Sequence, residues 1–328
     1  MQVDRLEVID HVQTRTLWEE VFQDDTEAFL DYYYKCMADH NTIYTIEQQG
    51  ELVSMLQLNP YQIQLAGKLF PIHYIVGVAT KERYRKQGMM GKLLRQSMQE
   101  MYLAKEPLTY LMPAAEAIYE PYDFVVVGEQ IHYEYVGELK DGMFVDRVQN
   151  LEFSYATDRD CAMLTEFANQ EIMKRYSIFT RRTEEYFQQL IKEQACQNGG
   201  IVLVRKEGVF VGYFITANEG YQQIRELIFS DDIKMPVKEK SRVNMMVRIV
   251  NLEKLLTTIR WGMGEQNLLQ VIDPIIEENT GTYRFSPSYG GLRVKKISNE
   301  VDKEQAWTIR DLTKNLFEDR KVLLNEIV

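Results

Sequence analysis

The sequence predicts an α+β protein: two successive units of mixed sheet flanked by helices, then a smaller α+β unit. Three observations lead there. The chain has 328 residues, about twice an ordinary domain, so more than one core is expected. Stretches rich in β-branched and aromatic residues interleave with amphipathic helical periods. The same order of strand, helix and hairpin then starts again past a polar, glycine-containing stretch at 141–150, which reads as a linker. The expected boundaries are 1–140, 141–235 and 236–328.

In the first unit, Leu17, Trp18, Val21, Phe22, Phe29, Leu30, Tyr33 and Tyr34 follow a helical period that is interrupted at Gln23-Asp24-Asp25-Thr26. Two short helices around an acidic turn are predicted. Thr42–Thr45, Gly50–Leu58 and Lys68–Thr80 are β-rich stretches separated by glycine turn signals, the pattern of an antiparallel meander. The last of them is apolar enough to be a central strand, and it runs into a basic, glycine-containing loop. Met90, Leu93, Leu94, Met98 and Met101 share one face of the helix that follows. Leu108–Pro113 then reads as a buried strand, Ala114–Tyr119 as a short helix and Val125–Val136 as β structure.

The second unit opens with a strand at Phe153–Thr157 and helices at Asp158–Tyr176 and Arg181–Ala195, the latter with Thr183 as N-cap and Glu184 and Glu185 in its first turn. Ile201–Arg205 and Val209–Thr216 flank Lys206-Glu207-Gly208 as a hairpin, and Arg225–Phe229 adds a strand. Where the first unit has a basic loop, this one has Ser230-Asp231-Asp232, which cannot attract phosphate. A related fold without the ligand site is expected. From Pro236 the reading is strand at Val243–Ile249, helix at Asn251–Ile259, β structure at Asn267–Glu278, strand at Arg293–Ile297 and amphipathic helix at Lys303–Phe317. The end, Val322 to Val328, is apolar and is expected to dock against protein rather than fray.

The formal net charge of −11 argues against nucleic acid and makes cationic partners the easier expectation. No apolar run approaches the ~18 residues of a membrane span, and the first residues lack the basic and apolar regions of a signal peptide, so the cytoplasm is the expected compartment. Cys36, Cys161 and Cys196 are an odd set at wide spacing that fits neither a disulfide framework nor a metal knuckle; no metal is expected.

Binding a pyrophosphate requires converging backbone N–H groups, close approach of the chain and the positive end of a helix. The loop Thr80-Lys81-Glu82-Arg83-Tyr84-Arg85-Lys86-Gln87-Gly88-Met89-Met90-Gly91 meets those demands: Gly88 and Gly91 allow close approach, Arg85 and Lys86 add charge, and a helix begins there. Taken alone, it could also be a solvated basic turn. It resembles the signature of the GNAT superfamily of N-acetyltransferases, Arg/Gln-x-x-Gly-x-Gly/Ala after a central strand, with Met90 in place of the last small residue. A second stretch, Ala115 to Phe124, resembles the superfamily's Ala-x-x-x-Tyr-x-x-x-Gly-Phe segment, with Asp123 in place of glycine. The whole chain is similar to a narrower group, the Eis (enhanced intracellular survival) acetyltransferases, which join an active acetyltransferase domain, a degenerate second one and a sterol-carrier-protein-like domain. Arg181 to Phe187, Gly212-Tyr213-Phe214, Met245 to Asn251 and Trp307 to Thr313 carry that similarity.

The resemblance implies acetyl-CoA as co-substrate and direct attack by an amine in a ternary complex. It implies that the backbone of Val78, Ala79 and Thr80 holds the cofactor arm and polarises the thioester, that Arg85, Lys86, Gln87, Gly88, Met89, Met90 and Gly91 cradle the pyrophosphate, and that Ala114 and Ala115 flank the cofactor. Tyr119 takes the position of the proton donor to the thiolate, and the terminal carboxylate of Val328 that of the base. Asp24, Asp25 and Glu27 border the acceptor side, where they could attract an aminoglycoside or polyamine or simply be solvated. A homo-oligomer, hexameric by analogy, is also implied. Two competing readings are an acetyltransferase acting on protein lysines or N-termini and a non-enzymatic lipid-binding module; the retained loop 85–91 favours an enzyme.

Overall fold

The computed structural model describes all residues except 1, 141–142, 147, 219–221, 231–232, 260–266, 289–290, 325 and 327–328. Strand β1 (Asp4–Arg5) edges the main sheet, and Leu17 and Trp18 bury one side of helix α1 (Arg15–Val21). After the acidic turn the Thr26 hydroxyl caps α2 (Glu27–Cys36), accepting from Phe29 N at 3.2 Å. The meander forms as β2 (Thr42–Gln48), β3 (Glu51–Leu65) and β4 (Lys68–Thr80), each antiparallel to the one before. Gln49-Gly50 and Ala66-Gly67 turn its corners with positive φ, as two-residue hairpins of matching twist require. Helix α3 (Met89–Leu103) covers the sheet with Leu93, Leu94, Met98 and Met101 buried. Strand β5 (Leu108–Leu111), the short α4 (Glu116–Tyr119) and β6 (Val125–Tyr135) follow.

The stretch read as a linker is partly structured: β7 (Glu138–Lys140) and β8 (Met143–Val145) pair antiparallel. The cause is Phe144, buried edge-on against Tyr135 and Phe214 with centroids at 4.8 Å in both contacts. Beyond it come β9 (Leu151–Tyr155), α5 (Cys161–Arg175), β10 (Ile178–Thr180), α6 (Glu184–Cys196), β11 (Gly200–Lys206), β12 (Val209–Asn218) and β13 (Gln222–Phe229). Thr183 caps α6 as expected, accepting from Tyr186 N at 3.1 Å. Asp231 and Asp232 lie outside the described residues.

The remaining elements are β14 (Val237–Ile249), α7 (Leu252–Leu256), β15 (Leu268–Ile272), β16 (Gly281–Ser288), β17 (Gly291–Ser298), β18 (Trp307–Thr308), α8 (Ile309–Phe317) and β19 (Val322–Leu323). The β structure expected over 267–278 stops at Ile272 because Asp273 Oδ1 accepts from Ile275 N at 3.0 Å and Ile276 N at 2.9 Å, which turns the chain. Strand β16 is not expected from the sequence; among its described side chains Tyr283 and Phe285 make the buried apolar face, too short an alternation to stand out.

The main sheet runs β1-β2-β3-β4-β5-β14-β6-β13-β12-β11-β9, and β17-β16-β15-β18 form a second sheet. Strand β14 thus lies between β5 and β6, antiparallel to both. The stretch from 236 onward begins inside the sheet that the first residues build. Near the C-terminus, β19 runs parallel to β10, which itself pairs with β3, and Leu324 and Glu326 are fully buried. That end is docked as far as it is described. Among the described residues no helix is long and apolar enough to cross a membrane.

Candidate active site

Strand β4 is registered with the parallel β5 only at Tyr74 and Tyr110, so Ile75–Thr80 run on without it. On its other edge β4 pairs Val76 with Gln57 and Ala79 with Met55, which leaves Gly77 and Val78 opposite Leu56 alone. This is a β-bulge, which frees a ladder position and re-aims the backbone. Glycine is required there: φ is +57°, and a Cβ would meet the Trp18 ring at 2.6 Å. Trp18 is held in turn by Nε1 donating to Asp25 Oδ2 at 2.7 Å.

After β4 the chain makes a tight basic loop. Arg85 Nε donates to Thr80 O at 3.1 Å, Gln87 Nε2 to Arg83 O at 3.2 Å, and Lys86 has φ +62°. Lys81 and Arg83 are neutralised by Glu51, with Glu20 also on Lys81, whereas Arg85 and Lys86 are exposed and form no ion pair among the described residues. Gly88, at φ +79°, is the N-cap of α3 and brings no side chain to its first amides. A Cβ there would meet only open space. The first turn of α3 therefore presents uncapped N–H groups beside two unpaired cations, a suitable seat for an anion. Gly91 serves another purpose. It is buried, and a Cβ on it would collide with Tyr122 Oη, so the close approach at this glycine is made by the protein's own side chain.

A cavity of about 680 Å³ opens between these parts. Val78 and Thr80 of β4 form one wall and Arg85, Lys86, Gly88, Met89, Met90 and Gly91 another; Ala114, Ile118, Tyr119 and Tyr122 lie across from them, and Val21 and Phe22 come from the end of α1. Tyr119 is 7% exposed, packs edge-on against Phe124 at 6.0 Å, and is pushed up to about 12 by burial. Four residues on, Asp123 has φ +62°, the left-handed backbone that explains why the resembled motif has glycine there; burial pushes its carboxyl up, against the pull of Arg248.

The structure thus brings Val78, Thr80, Arg85, Lys86, Gly88, Met89, Met90, Gly91, Ala114 and Tyr119 to one cavity. Three expected cofactor residues do not line it: Ala79 is buried, and Gln87 and Ala115 are exposed beside it. Asp24, Asp25 and Glu27 also lie off the lining; Asp25 is engaged by Trp18, and Asp24 and Glu27 face solvent. Val328 lies outside the described residues. Sequence reasoning missed Phe22, Tyr84 and Tyr122 as wall residues, although Tyr122 sits within the Ala115–Phe124 motif. Among the described residues no group of His, Cys, Asp and Glu converges as metal ligands would.

Residues 2–127 match the family described as acetyltransferase (GNAT) domain. Similar solved structures include a GCN5-related N-acetyltransferase from Anabaena variabilis, 16% identical with a TM-score of 0.72 over 95% of this chain and 89% of that one. A conserved protein of unknown function from Enterococcus faecalis, described as a probable N-acyltransferase, is 16% identical with a TM-score of 0.70 over 90% and 85%. Eis1 from Mycobacterium abscessus is 12% identical with a TM-score of 0.66 over 95% and 88%. At these identities the likeness is one of fold. No curated protein matches the chain. Over residues 2–127 the chain is therefore similar to GNAT-type acetyltransferase domains, and that match supports N-acetyltransferase activity with acetyl-CoA as co-substrate.

Proposed function

We propose that the cavity at the end of β4 receives acetyl-CoA and that the acceptor is a cationic small-molecule amine of the aminoglycoside or polyamine kind. The observation that carries this reading is the convergence, in one cavity, of a bulged strand, an uncapped helix N-terminus and a buried phenol. The amides of Met89 to Gly91, with Arg85 and Lys86, hold the pyrophosphate. The backbone from Val78 to Thr80 holds the pantetheine arm, and the bulge offers an N–H to the thioester oxygen as negative charge develops on it. A neutral amine attacks the carbonyl carbon directly, the carbon–sulfur bond breaks as Tyr119 Oη passes its proton to the departing sulfur, and the new amide nitrogen releases its proton to solvent, from which the Tyr119 phenolate is reprotonated. Burial keeps that phenol protonated, and the same burial disfavours a bare thiolate, so donor and acceptor stay matched.

A net charge of −11 and the exposed Asp24 and Glu27, on the turn that follows Val21 and Phe22 of the cavity wall and at the start of α2, favour an acceptor carrying several positive charges. The reading extends to a sterol-carrier type of unit over 236–328, a cytoplasmic setting and a homo-oligomer. Calorimetric titration of acetyl-CoA tests the site. Wild type should bind it, and Arg85→Glu with Lys86→Glu should weaken binding on the order of tenfold to a hundredfold. Equal affinity in the two proteins would move the pyrophosphate elsewhere.

A further inference from the structure

Helix α4 is a single turn, Glu116–Tyr119, and its N-cap Ala115 offers no side-chain cap. One turn of helix does not hold itself in water. The phenol of Tyr119, its last residue, makes no hydrogen bond among the described residues, so its place depends on how the turn itself is fixed. The chain continues through a 3-10 turn, Glu120–Tyr122, whose last carbonyls are the orphan acceptors of the segment.

Three side chains from beyond residue 236 grip this short piece. Asn244 Nδ2, on β14, donates to Glu116 Oε1. Arg310, on α8, donates from Nη1 to Glu120 O at 3.0 Å and from Nη2 to Glu120 Oε1 at 2.9 Å. Arg248, on β14 and fully buried, donates from Nε to Tyr122 O at 2.9 Å and from Nη2 to Asp273 Oδ1 at 2.7 Å, with the Asp123 carboxylate 3.9 Å away. The beginning, middle and end of the segment that carries Tyr119 are thus each fastened to the C-terminal part of the chain. Two of the three fasteners are guanidinium groups at the negative end of the turn, where a cation is favoured.

We infer that Asn244, Arg248 and Arg310 are positioning residues for Tyr119, and that residues beyond 236 serve the chemical step rather than the loading of acetyl-CoA. This rests on the proton-donor role proposed above for Tyr119. The proposed pyrophosphate amides and thioester-facing bulge sit on α3 and β4, and the polar partners of these three side chains given above lie elsewhere. Displacing a reacting group by about 1 Å costs on the order of a hundredfold in rate, so loosening the clamp lowers kcat and leaves affinity nearly intact.

The experiment is a double-mutant cycle. Arg310→Gln and Asn244→Ala are each made in wild type and in Tyr119→Phe, with kcat and the acetyl-CoA Kd measured for all. Arg310 is partly exposed, and melting curves identify any variant that fails to fold. The expected result is a kcat on the order of tenfold lower in each single variant, a Kd within about threefold, partial recovery in Arg310→Lys, and no further loss when either change is added to Tyr119→Phe. Unchanged kcat in both folded variants, or the same loss with and without the phenol, overturns the inference. An unchanged kcat in Tyr119→Phe alone rejects the proposed donor, and the clamp's purpose with it.

Discussion

Arg182→Ala is expected to cost about 3–5 kcal/mol of stability, because it strips the cation from a buried charge cluster. Arg182 is wholly buried where β10, β13 and the C-terminal stretch meet. Its Nη2 donates to Glu226 Oε2 at 2.9 Å, and its Nη1 to Thr180 O at 3.2 Å and Glu326 Oε1 at 3.4 Å, while the Tyr186 ring lies 4.5 Å from the guanidinium. Tyr213 Oη donates to the other Glu226 oxygen at 2.6 Å. Without the arginine two buried carboxylates lose their positive partner, beside Glu193, which burial already pushes up to about 8.

The sign of the pH dependence follows. Burial already raises the Glu326 carboxyl above its ordinary 4.5, and losing Arg182 raises it further. A raised folded pKa contributes stability below the unfolded value and loses it as pH climbs through the folded one. The deficit of Arg182→Ala should therefore be smaller near pH 5 than near pH 8 in denaturant titrations. A deficit under about 1 kcal/mol, or one independent of pH, would contradict this view of the cluster.

Tyr119→Phe is expected to lower kcat by about 10²–10³ with the acetyl-CoA Kd unchanged. The substitution removes one oxygen from a ring that packs on Phe124, so the fold should not notice. In wild type the proposed donor is active in its protonated form. With its pKa pushed up to about 12 by burial, it stays loaded at lower pH and its contribution is lost only as pH climbs through that value. Any rise of rate with pH at lower values then reports deprotonation of the acceptor amine. A kcat within about twofold of wild type would remove Tyr119 from the chemistry.

The parts of the site that sequence revealed are the local ones. The period from Leu17 to Tyr34, the corners at Gly50 and Gly67, and the basic loop ending at Gly88 each write their structure into a few neighbouring residues. Gly77 in an apolar strand hints at a bulge, yet the Trp18 ring that leaves no room for a side chain there lies in a different element. Nothing near Val237–Ile249 says that it slots between β5 and β6, because strand partners are chosen by packing across the fold. The same holds for Phe144, which makes a hairpin of a polar stretch through contacts with distant aromatics. The grips on the Tyr119 segment are more remote still: Arg248 reaches Tyr122 across 126 residues and Arg310 reaches Glu120 across 190. A motif could point to Tyr119 but not to what holds it.

Release of free thiol from acetyl-CoA, followed with and without amines, tests the central claim most directly. Polyamines, aminoglycosides and lysine-containing peptides would be compared at equal concentration. Release is expected to require an amine and to be at least about tenfold faster, in kcat/KM, with the polycationic small molecules than with peptides. Release confined to peptides, or no amine-dependent release from protein that binds acetyl-CoA, would contradict it.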